Sequence, residues 1–261
     1  MPKTLEVTGA TLSYDEFGDG PKTIVFVHDA GGNHLSWWNQ IPWFQDRFRC
    51  VTYEVRGWGQ SQDLSGEDST AFSRDLGELM DQLEIDRAAL VGQSMGGFTV
   101  LPYAVHNPDR VAALMMADTV VGIGDAAILA GLQDSLEAAG SATPEEWETQ
   151  MFGSAYVERS PEGVFLYNQI RALNSPPESF AGYGVEQGAV TSDELTNLKM
   201  PVVFVAGSED VLIPGSLVRQ AAELIPHAKY VEVATCGHSV YWELPERFNA
   251  ILEELLAEAY G

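Results

Sequence analysis

Basic residues are scarce in this chain. Lysine and arginine together number 14 against 38 aspartates and glutamates, which gives a formal net charge of −24 over 261 residues. Such a surface repels phosphate backbones and anionic lipids, so we expect neither a nucleic acid nor a membrane partner. The acids are spread along predicted helices rather than gathered in a tail, which is typical of a solvated surface suited to solubility or to high salt.

Cysteines and long apolar runs are also lacking. Two cysteines, Cys50 and Cys236, do not make a disulfide framework in a chain of this size. No apolar run approaches the roughly 20 residues that a membrane-spanning helix needs. The first residues lack the basic start and apolar stretch of a secretory signal, so we expect a cytoplasmic protein.

Motifs for metal and nucleotide chemistry are missing. The sequence contains no C-x-x-C pair, no H-E-x-x-H helix and no G-x-x-x-x-G-K-[ST] loop. Residues 122–127 match a dinucleotide fingerprint, but no strand ending in an acid follows about 20 residues later to hold a ribose. We therefore predict no metal and no cofactor.

Strand and helix patterns alternate along the chain. Short apolar runs predict strands, and amphipathic stretches between most of them predict helices, which favours a mostly parallel sheet with helices on both faces. Two opening runs predict an antiparallel pair at one edge, giving eight strands. These strands are Leu5–Val7, Leu12–Glu16, Thr23–Val27, Cys50–Tyr53, Ala88–Val91, Val111–Met116, Val202–Ala206 and Tyr230–Val233, and the first core helix is predicted over Ser36–Phe44.

One interval breaks this alternation. Between the sixth and seventh strands, residues 121–197 show helical patterns only, at Asp125–Ala139, Pro144–Phe152 and Glu162–Leu173. Ligands of open α/β sheets bind at the carboxyl ends of the strands, where such an insert would lie as a lid. We therefore predict a core domain, residues 1–120 and 198–261, and a helical cap, residues 121–197.

Ser94 is the candidate nucleophile. It lies in Gly92-Gln-Ser-Met-Gly96, between the buried run Ala88–Val91 and a predicted helix. A sharp turn from strand to helix exposes a serine hydroxyl for attack, which is the role of the G-x-S-x-G motif.

A base and an acid are available further along the chain. His238 follows the last predicted strand and is the best candidate for the base. Asp210 follows the strand Val202–Ala206 and could orient that histidine, while Glu209 and Asp118 remain open as rivals for this role.

Donors for a developing oxyanion are expected from backbone amides. The residue after the serine, Met95, supplies one, and the glycine-rich loop 28–33 supplies a second, for which we choose Ala30. Large side chains that could form apolar pocket walls are Trp37, Trp38, Phe98 and Trp242.

From about residue 20 onward the chain resembles the α/β-hydrolase superfamily. The likeness rests on His28, Arg56-Gly-Trp-Gly-Gln-Ser61, the serine motif, Gly207-x-x-Asp210-x-x-x-Pro214 and Gly237-His238. It implies a Ser94–His238–Asp210 triad that hydrolyses a carboxylic ester or lactone through an acyl-enzyme. The branches it is most similar to are small bacterial esterases, enol-lactonases and cofactor-free haloperoxidase-like enzymes.

One departure from the family pattern affects the oxyanion site. Glycine commonly follows the loop histidine, but Asp29 stands there in this chain. A carboxylate that points into the site would oppose the oxyanion, whereas one that points toward its own loop would not. Alternatives to the ester or lactone hydrolase are a lyase or cofactor-free oxygenase of the same fold, and a ligand receptor with vestigial hydrolysis.

Overall fold

The computed structural model describes residues 2–140, 143, 146, 150–174 and 189–261. Their backbone forms one mixed sheet, in the strand order β1-β2-β4-β3-β6-β7-β8-β9, with the short β5 pairing with β2. The strands are β1 (Lys3–Val7), β2 (Ala10–Phe17), β3 (Thr23–Val27), β4 (Arg49–Tyr53), β5 (Gln62–Asp63), β6 (Ala88–Gln93), β7 (Val111–Ala117), β8 (Val202–Gly207) and β9 (Lys229–Val233).

The prediction of a mostly parallel sheet with an antiparallel edge is confirmed. β1 pairs antiparallel with β2 and β2 antiparallel with β4, while every pairing from β4 through β3, β6, β7 and β8 to β9 is parallel. The two-residue β5 is an addition to the eight predicted strands. Every residue of β3, β6, β7 and β8 is buried, as expected for strands covered on both faces.

Helices cover both faces of this sheet. They are α1 (Gln40–Phe44), α2 (Phe72–Gln82), α3 (Gly97–His106), α4 (Ala126–Ala139), α5 (Ser154–Arg159), α6 (Pro161–Arg171), α7 (Gly215–Glu223), α8 (Val240–Glu243) and α9 (Pro245–Tyr260). Two apolar clusters, one on each face of the sheet, form the core. No helix in the described part of the chain has the length and apolar character needed to cross a membrane.

The predicted helix over Ser36–Phe44 is wrong as one element. The structure has a 3-10 turn at His34–Trp37, capped by the Asn33 side chain, and then the short helix α1. The Asn33 side chain sets the start of the turn by accepting from the Leu35 amide, and apolar periodicity alone does not report such a cap.

The insert between β7 and β8 contains α4, α5 and α6. We call residues 121–197 the cap segment; its status as a separate domain stays a prediction. Helix α5 was not predicted from the sequence, and α6 matches the predicted helix at Glu162–Leu173 closely. The predicted helix Pro144–Phe152, and Trp147 within it, fall largely outside the described residues.

Candidate active site

Ser94 lies at a strained turn between β6 and α3. Its φ of +48° is in the left-handed region, which costs a non-glycine residue about 1–3 kcal/mol. The turn brings backbones so close that a Cβ on Gly96 would lie 2.5 Å from the Val27 carbonyl oxygen. On the other side, the Thr119 hydroxyl donates a hydrogen bond of 2.8 Å to the Ser94 carbonyl. The serine is therefore held rigidly at the carboxyl end of the sheet.

The structure brings Ser94, His238 and Asp210 together. The His238 Nε2 is 2.8 Å from the Ser94 Oγ, and the His238 Nδ1 is 2.8 Å from the Asp210 Oδ2. His238 and Asp210 are both buried, with 2% and 6% of their surfaces exposed. Because the imidazole contacts both the hydroxyl and the carboxylate, it can accept the serine proton, and the carboxylate can stabilise the imidazolium that results.

The acid next to His238 is Asp210 rather than either rival. The second Asp210 carboxylate oxygen accepts hydrogen bonds of 2.9 Å from the Leu212 and Ile213 amides, which fix the side chain. Glu209 instead points to the cap segment, where it accepts a bond of 2.9 Å from the Ser154 amide.

Asp118 is fully buried and close enough to His238 to interact with its charge. Its carboxylate oxygens accept from the Gly207 amide at 3.1 Å and the Val240 amide at 3.2 Å, so it joins the loop that carries Asp210 to the segment after His238. Burial, together with the nearby Asp210 charge, raises the pKa of Asp118 to about 8. It therefore serves as a structural link between the two loops.

Protonation of His238 is governed by two opposed effects. Burial disfavours the charged ring and lowers its pKa, but the Asp210 carboxylate outweighs this and raises the pKa above the ordinary 6.5. Asp118 and Asp29 add to the same upward shift. Neutral His238, the form that can accept a proton, is consequently favoured toward the alkaline side of neutrality.

The other two histidines near this end of the sheet have structural partners. The His28 Nε2 accepts from the Val55 amide at 3.1 Å, so its Nδ1 carries the proton and donates to the Asp29 carbonyl at 2.7 Å. Burial lowers the pKa of His28 and keeps it neutral. His34 pairs with Glu54 at 2.6 Å.

Cys236 lies buried close to His238 in the sequence, and burial raises the pKa of its thiol well above the ordinary range. It is therefore unsuited to act as a thiolate nucleophile. In the ranges that the structure describes, no group of three or more histidine, cysteine, aspartate or glutamate side chains is arranged to hold a metal ion.

A pocket of about 340 Å³ is lined by Ser94 and His238. Its other walls are mostly apolar and come from the core loops and from the cap segment. These wall residues are Asp29, Ala30, Gly31, Met95, Phe98, Val121, Leu132, Leu136, Ala139, Gly140, Gln150, Met151, Leu212 and Ile213.

Both residues predicted to donate to an oxyanion, Ala30 and Met95, line this pocket beside Ser94. Asp29 points toward its own loop and the cap segment: one carboxylate oxygen accepts from the Gly31 amide at 3.1 Å and from the Tyr167 hydroxyl at 2.9 Å. Asp29 therefore remains a wall of the pocket, with one carboxylate oxygen bonded to two hydrogen-bond donors.

Of the four predicted apolar walls, only Phe98 lines the pocket. Trp37 is buried in the core between Phe26 and Tyr241, with ring centroids 5.0 and 4.9 Å away. Trp242 is buried against Tyr167, and Trp38 is 46% exposed at the surface. We correct these three assignments, because tryptophans close to a site in sequence can satisfy their apolar surface equally well in the core.

A sequence profile of the α/β hydrolase fold matches residues 22–245. The chain belongs to the α/β hydrolase family. The resemblance expected from the motifs is thereby confirmed.

Several relatives of this α/β hydrolase match over nearly their whole length. It is 28% identical to 3-oxoadipate enol-lactonase 2 of Acinetobacter baylyi, over 97% of this chain and 96% of that protein. It is 26% identical to a 2-hydroxy-6-oxononadienedioate/2-hydroxy-6-oxononatrienedioate hydrolase of Paraburkholderia phymatum, over 96% and 92%. The solved enol-lactonase of Burkholderia xenovorans has the same fold, with a TM-score of 0.81 at 24% identity over 98% and 100% of the two chains.

Sequence reasoning missed the residues of this α/β hydrolase that the cap segment contributes to the pocket. Leu132 and Leu136 are four residues apart on α4 and reach the pocket from one helix face, and Met151 joins them. Their i, i+4 spacing was a visible signal, but it is equally typical of any helix packed on a core.

Proposed function

We propose that this protein is a serine hydrolase that cleaves a carboxylic ester or lactone through an acyl-enzyme on Ser94. The observation that carries the proposal is the unbroken contact chain from the Ser94 hydroxyl through His238 to Asp210, at 2.8 Å per step, at a mostly apolar pocket. Membership of the α/β hydrolase family supports the same conclusion, since several of its relatives are named as lactonases and hydrolases.

In the first half of the reaction, the Ser94 Oγ attacks the acyl carbon while His238 Nε2 takes its proton. The tetrahedral anion is stabilised by the Met95 and Ala30 amides. The C–O bond to the alkoxide then breaks, and His238 returns its proton to the leaving oxygen. Asp210 holds the ring in the productive tautomer and stabilises its positive charge throughout.

In the second half, water attacks the acyl carbon with His238 as the base. The same two amides stabilise the second tetrahedral anion, and its collapse releases the carboxylic acid and restores the Ser94 hydroxyl. In a lactone the acid and the alcohol belong to one molecule, so the ring-opened hydroxy acid leaves as a single product.

The pocket walls favour a substrate with an uncharged acyl group. The described wall residues include no lysine or arginine, and Asp29 and the net charge of −24 oppose an anion. Two relatives differ in this respect, since their names specify an oxoadipate lactone and a dienedioate, both of which are anionic. From its own pocket walls and net charge, we expect this chain to prefer neutral esters or lactones over carboxylate-bearing ones.

The decisive experiment combines turnover with mass spectrometry. Wild-type protein and Ser94→Ala are mixed with p-nitrophenyl esters of rising chain length, a carboxylate-bearing ester and a set of neutral lactones. A fluorophosphonate probe is added in parallel. We expect wild type to hydrolyse neutral esters or lactones and to gain a phosphonyl adduct on Ser94, with fluoride as the leaving group, and the variant to do neither.

Other results point to other functions. Turnover that survives in Ser94→Ala would contradict the proposal. A burst followed by tight retention of the product would indicate a receptor, and lyase or oxygenase products without any adduct would indicate a non-hydrolytic enzyme of the same fold.

A further inference from the structure

The loop that carries the second proposed oxyanion donor is bonded to the cap segment. In this loop, residues 28–33, the Gly31 and Gly32 carbonyls accept hydrogen bonds of 2.7 and 3.0 Å from the Asn174 Nδ2. The Asn33 Nδ2 in turn donates to the Ile170 carbonyl at 3.0 Å. With the Tyr167–Asp29 bond, these contacts tie consecutive loop residues to α6 and the turn that follows it.

Asp29 is the centre of this connection. One of its carboxylate oxygens bonds both to the Gly31 amide of its own loop and to the Tyr167 hydroxyl of the cap segment. A Cβ added at Gly32 would lie only 2.2 Å from the other Asp29 carboxylate oxygen, so the loop is folded tightly around the carboxylate. A glycine at position 29 could make none of these side-chain contacts.

Two further hydrogen bonds within loop 28–33 set the direction of the Ala30 amide. The Asp29 carbonyl and the Ala30 N–H belong to one trans peptide plane, in which they point to opposite sides. That carbonyl is held by the His28 Nδ1 at 2.7 Å and the Gly32 amide at 3.2 Å. The Ala30 N–H is therefore turned away from His28, and Ala30 lines the pocket with Ser94.

We propose that Asp29, Tyr167 and Asn174 form a brace between cap and core that positions the Ala30 amide for the oxyanion. The three are positioning residues, since they act on the reaction through loop 28–33. This inference rests on the proposed function, because it assumes that an oxyanion forms at Ser94. It assigns the cap segment a part in the chemical step as well as in enclosing the substrate.

Charge gives the brace a second effect. A carboxylate near a developing oxyanion raises the energy of the transition state unless donors offset its charge. The Tyr167 hydroxyl and the Gly31 amide are such donors. Loss of the Tyr167 hydroxyl would thus loosen the loop and also leave the Asp29 charge less compensated.

The test uses Tyr167→Phe and Asn174→Ala, with Tyr156→Phe as the matched control. Tyr156 is also a buried cap tyrosine, and its ring packs on Phe152 at 5.2 Å much as the Tyr167 ring does at 5.0 Å. The control also removes a tyrosine hydroxyl, but one that is not bonded to loop 28–33. Fluorophosphonate titration of Ser94 gives the concentration of folded, competent enzyme, so rates are expressed per active serine.

We expect kcat to fall about tenfold in Tyr167→Phe and in Asn174→Ala, with KM changed less than about twofold and the control close to wild type. A trifluoromethyl ketone, which forms an oxyanion adduct with Ser94, should bind more weakly in proportion to the loss of kcat/KM. The matching methyl ketone, which mimics the ground state, should bind equally well to all forms.

Two failures can be told apart. If wild type is not labelled at Ser94 and does not hydrolyse esters or lactones, the proposed function is overturned and the brace with it. If wild type is labelled and active, but both brace variants match Tyr156→Phe in kcat and in trifluoromethyl ketone affinity, only the brace is overturned.

Discussion

The core end of the sheet and the cap segment contribute to the pocket in different ways. Ser94, Asp210 and His238 follow three parallel strands, β6, β8 and β9, and are fixed by short hydrogen bonds, two of which are donated to Asp210 by backbone amides. The cap segment supplies mainly apolar walls, such as Leu132 and Leu136. In the proposed function the core supplies the reacting side chains and the cap most of the substrate walls, and loop 28–33 is where the cap also acts on the chemical step.

The largest effect on turnover is expected from a substitution in the core. Asp210→Asn should lower kcat about 10⁴-fold, because the amide no longer stabilises the imidazolium or the correct tautomer. Steady-state kinetics on a p-nitrophenyl ester measures this. The neighbouring Glu209→Gln is the matched control and should lose less than about tenfold, since Glu209 contacts Ser154 rather than His238. Equal losses in the two variants would contradict the division between core and cap.

A smaller effect is expected from the cap. Leu136→Ala removes a pocket wall, so kcat/KM for long-chain esters should fall about three- to tenfold while the acetate ester is hydrolysed as before. The measurement is the ratio of kcat/KM across an ester series. Leu64→Ala, an exposed leucine outside the described pocket walls, is the control. A loss that is uniform over chain length would show that this wall does not select the acyl group.

Glu243 connects the cap segment to the core loop that precedes His238. Its carboxylate accepts from the Gly153 amide of the cap segment at 3.0 Å and from the Gly237 amide at 2.8 Å. Burial raises its pKa from 4.5 to about 7, so the folded state binds more protons than the unfolded one between these values. Its contribution to stability is therefore present below about pH 4.5 and is lost as the pH rises through 7, by up to about 3 kcal/mol.

Chemical denaturation of wild type and Glu243→Gln at several pH values measures this contribution. The difference in free energy of unfolding between the two proteins should shift in favour of the variant between pH 4.5 and 7. A difference that does not vary with pH would mean that Glu243 has an ordinary pKa in the folded protein.

The smallest effect concerns the pH profile. The raised pKa of His238 places the acid limb of kcat/KM above pH 6.5, with activity lost as the pH falls and the ring becomes protonated. Because Asp29 adds to that shift, Asp29→Asn should move the limb to lower pH by less than about one unit. Asp19→Asn, an exposed control, should leave it in place. Movement of the limb to higher pH in Asp29→Asn would contradict this account of the charge.

Much of the fold could be predicted from the sequence because its strands are short, apolar and regularly separated. The predicted strand Thr23–Val27 matches β3 residue for residue, and the runs at 88–91, 111–116 and 202–206 match three further buried strands to within two residues. Ser94, Asp210 and His238 were identifiable because each follows such a strand, and parallel strands bring their carboxyl ends to one edge.

The pocket could not be predicted in the same way. Trp37 and Trp242 are large apolar side chains of the kind that line pockets, but they are buried elsewhere. Trp37 packs against Tyr241, and Trp242 packs against Tyr167. Leu136, an ordinary helix residue in the sequence, became a wall because α4 packs near Ser94. Apolar surface can be satisfied by any close-packed neighbour, so composition alone does not decide which neighbour that is.

The sequence by itself determined the sheet, the order of nucleophile, acid and base, and the end of the sheet at which they lie, because strand periodicity and chain direction are local properties. Only the tertiary structure decided that the Asp29 carboxylate bonds to Tyr167, and that Asn174 bonds to loop 28–33. Those contacts join residues more than 130 positions apart, and their geometry depends on how whole helices pack, which no local pattern encodes.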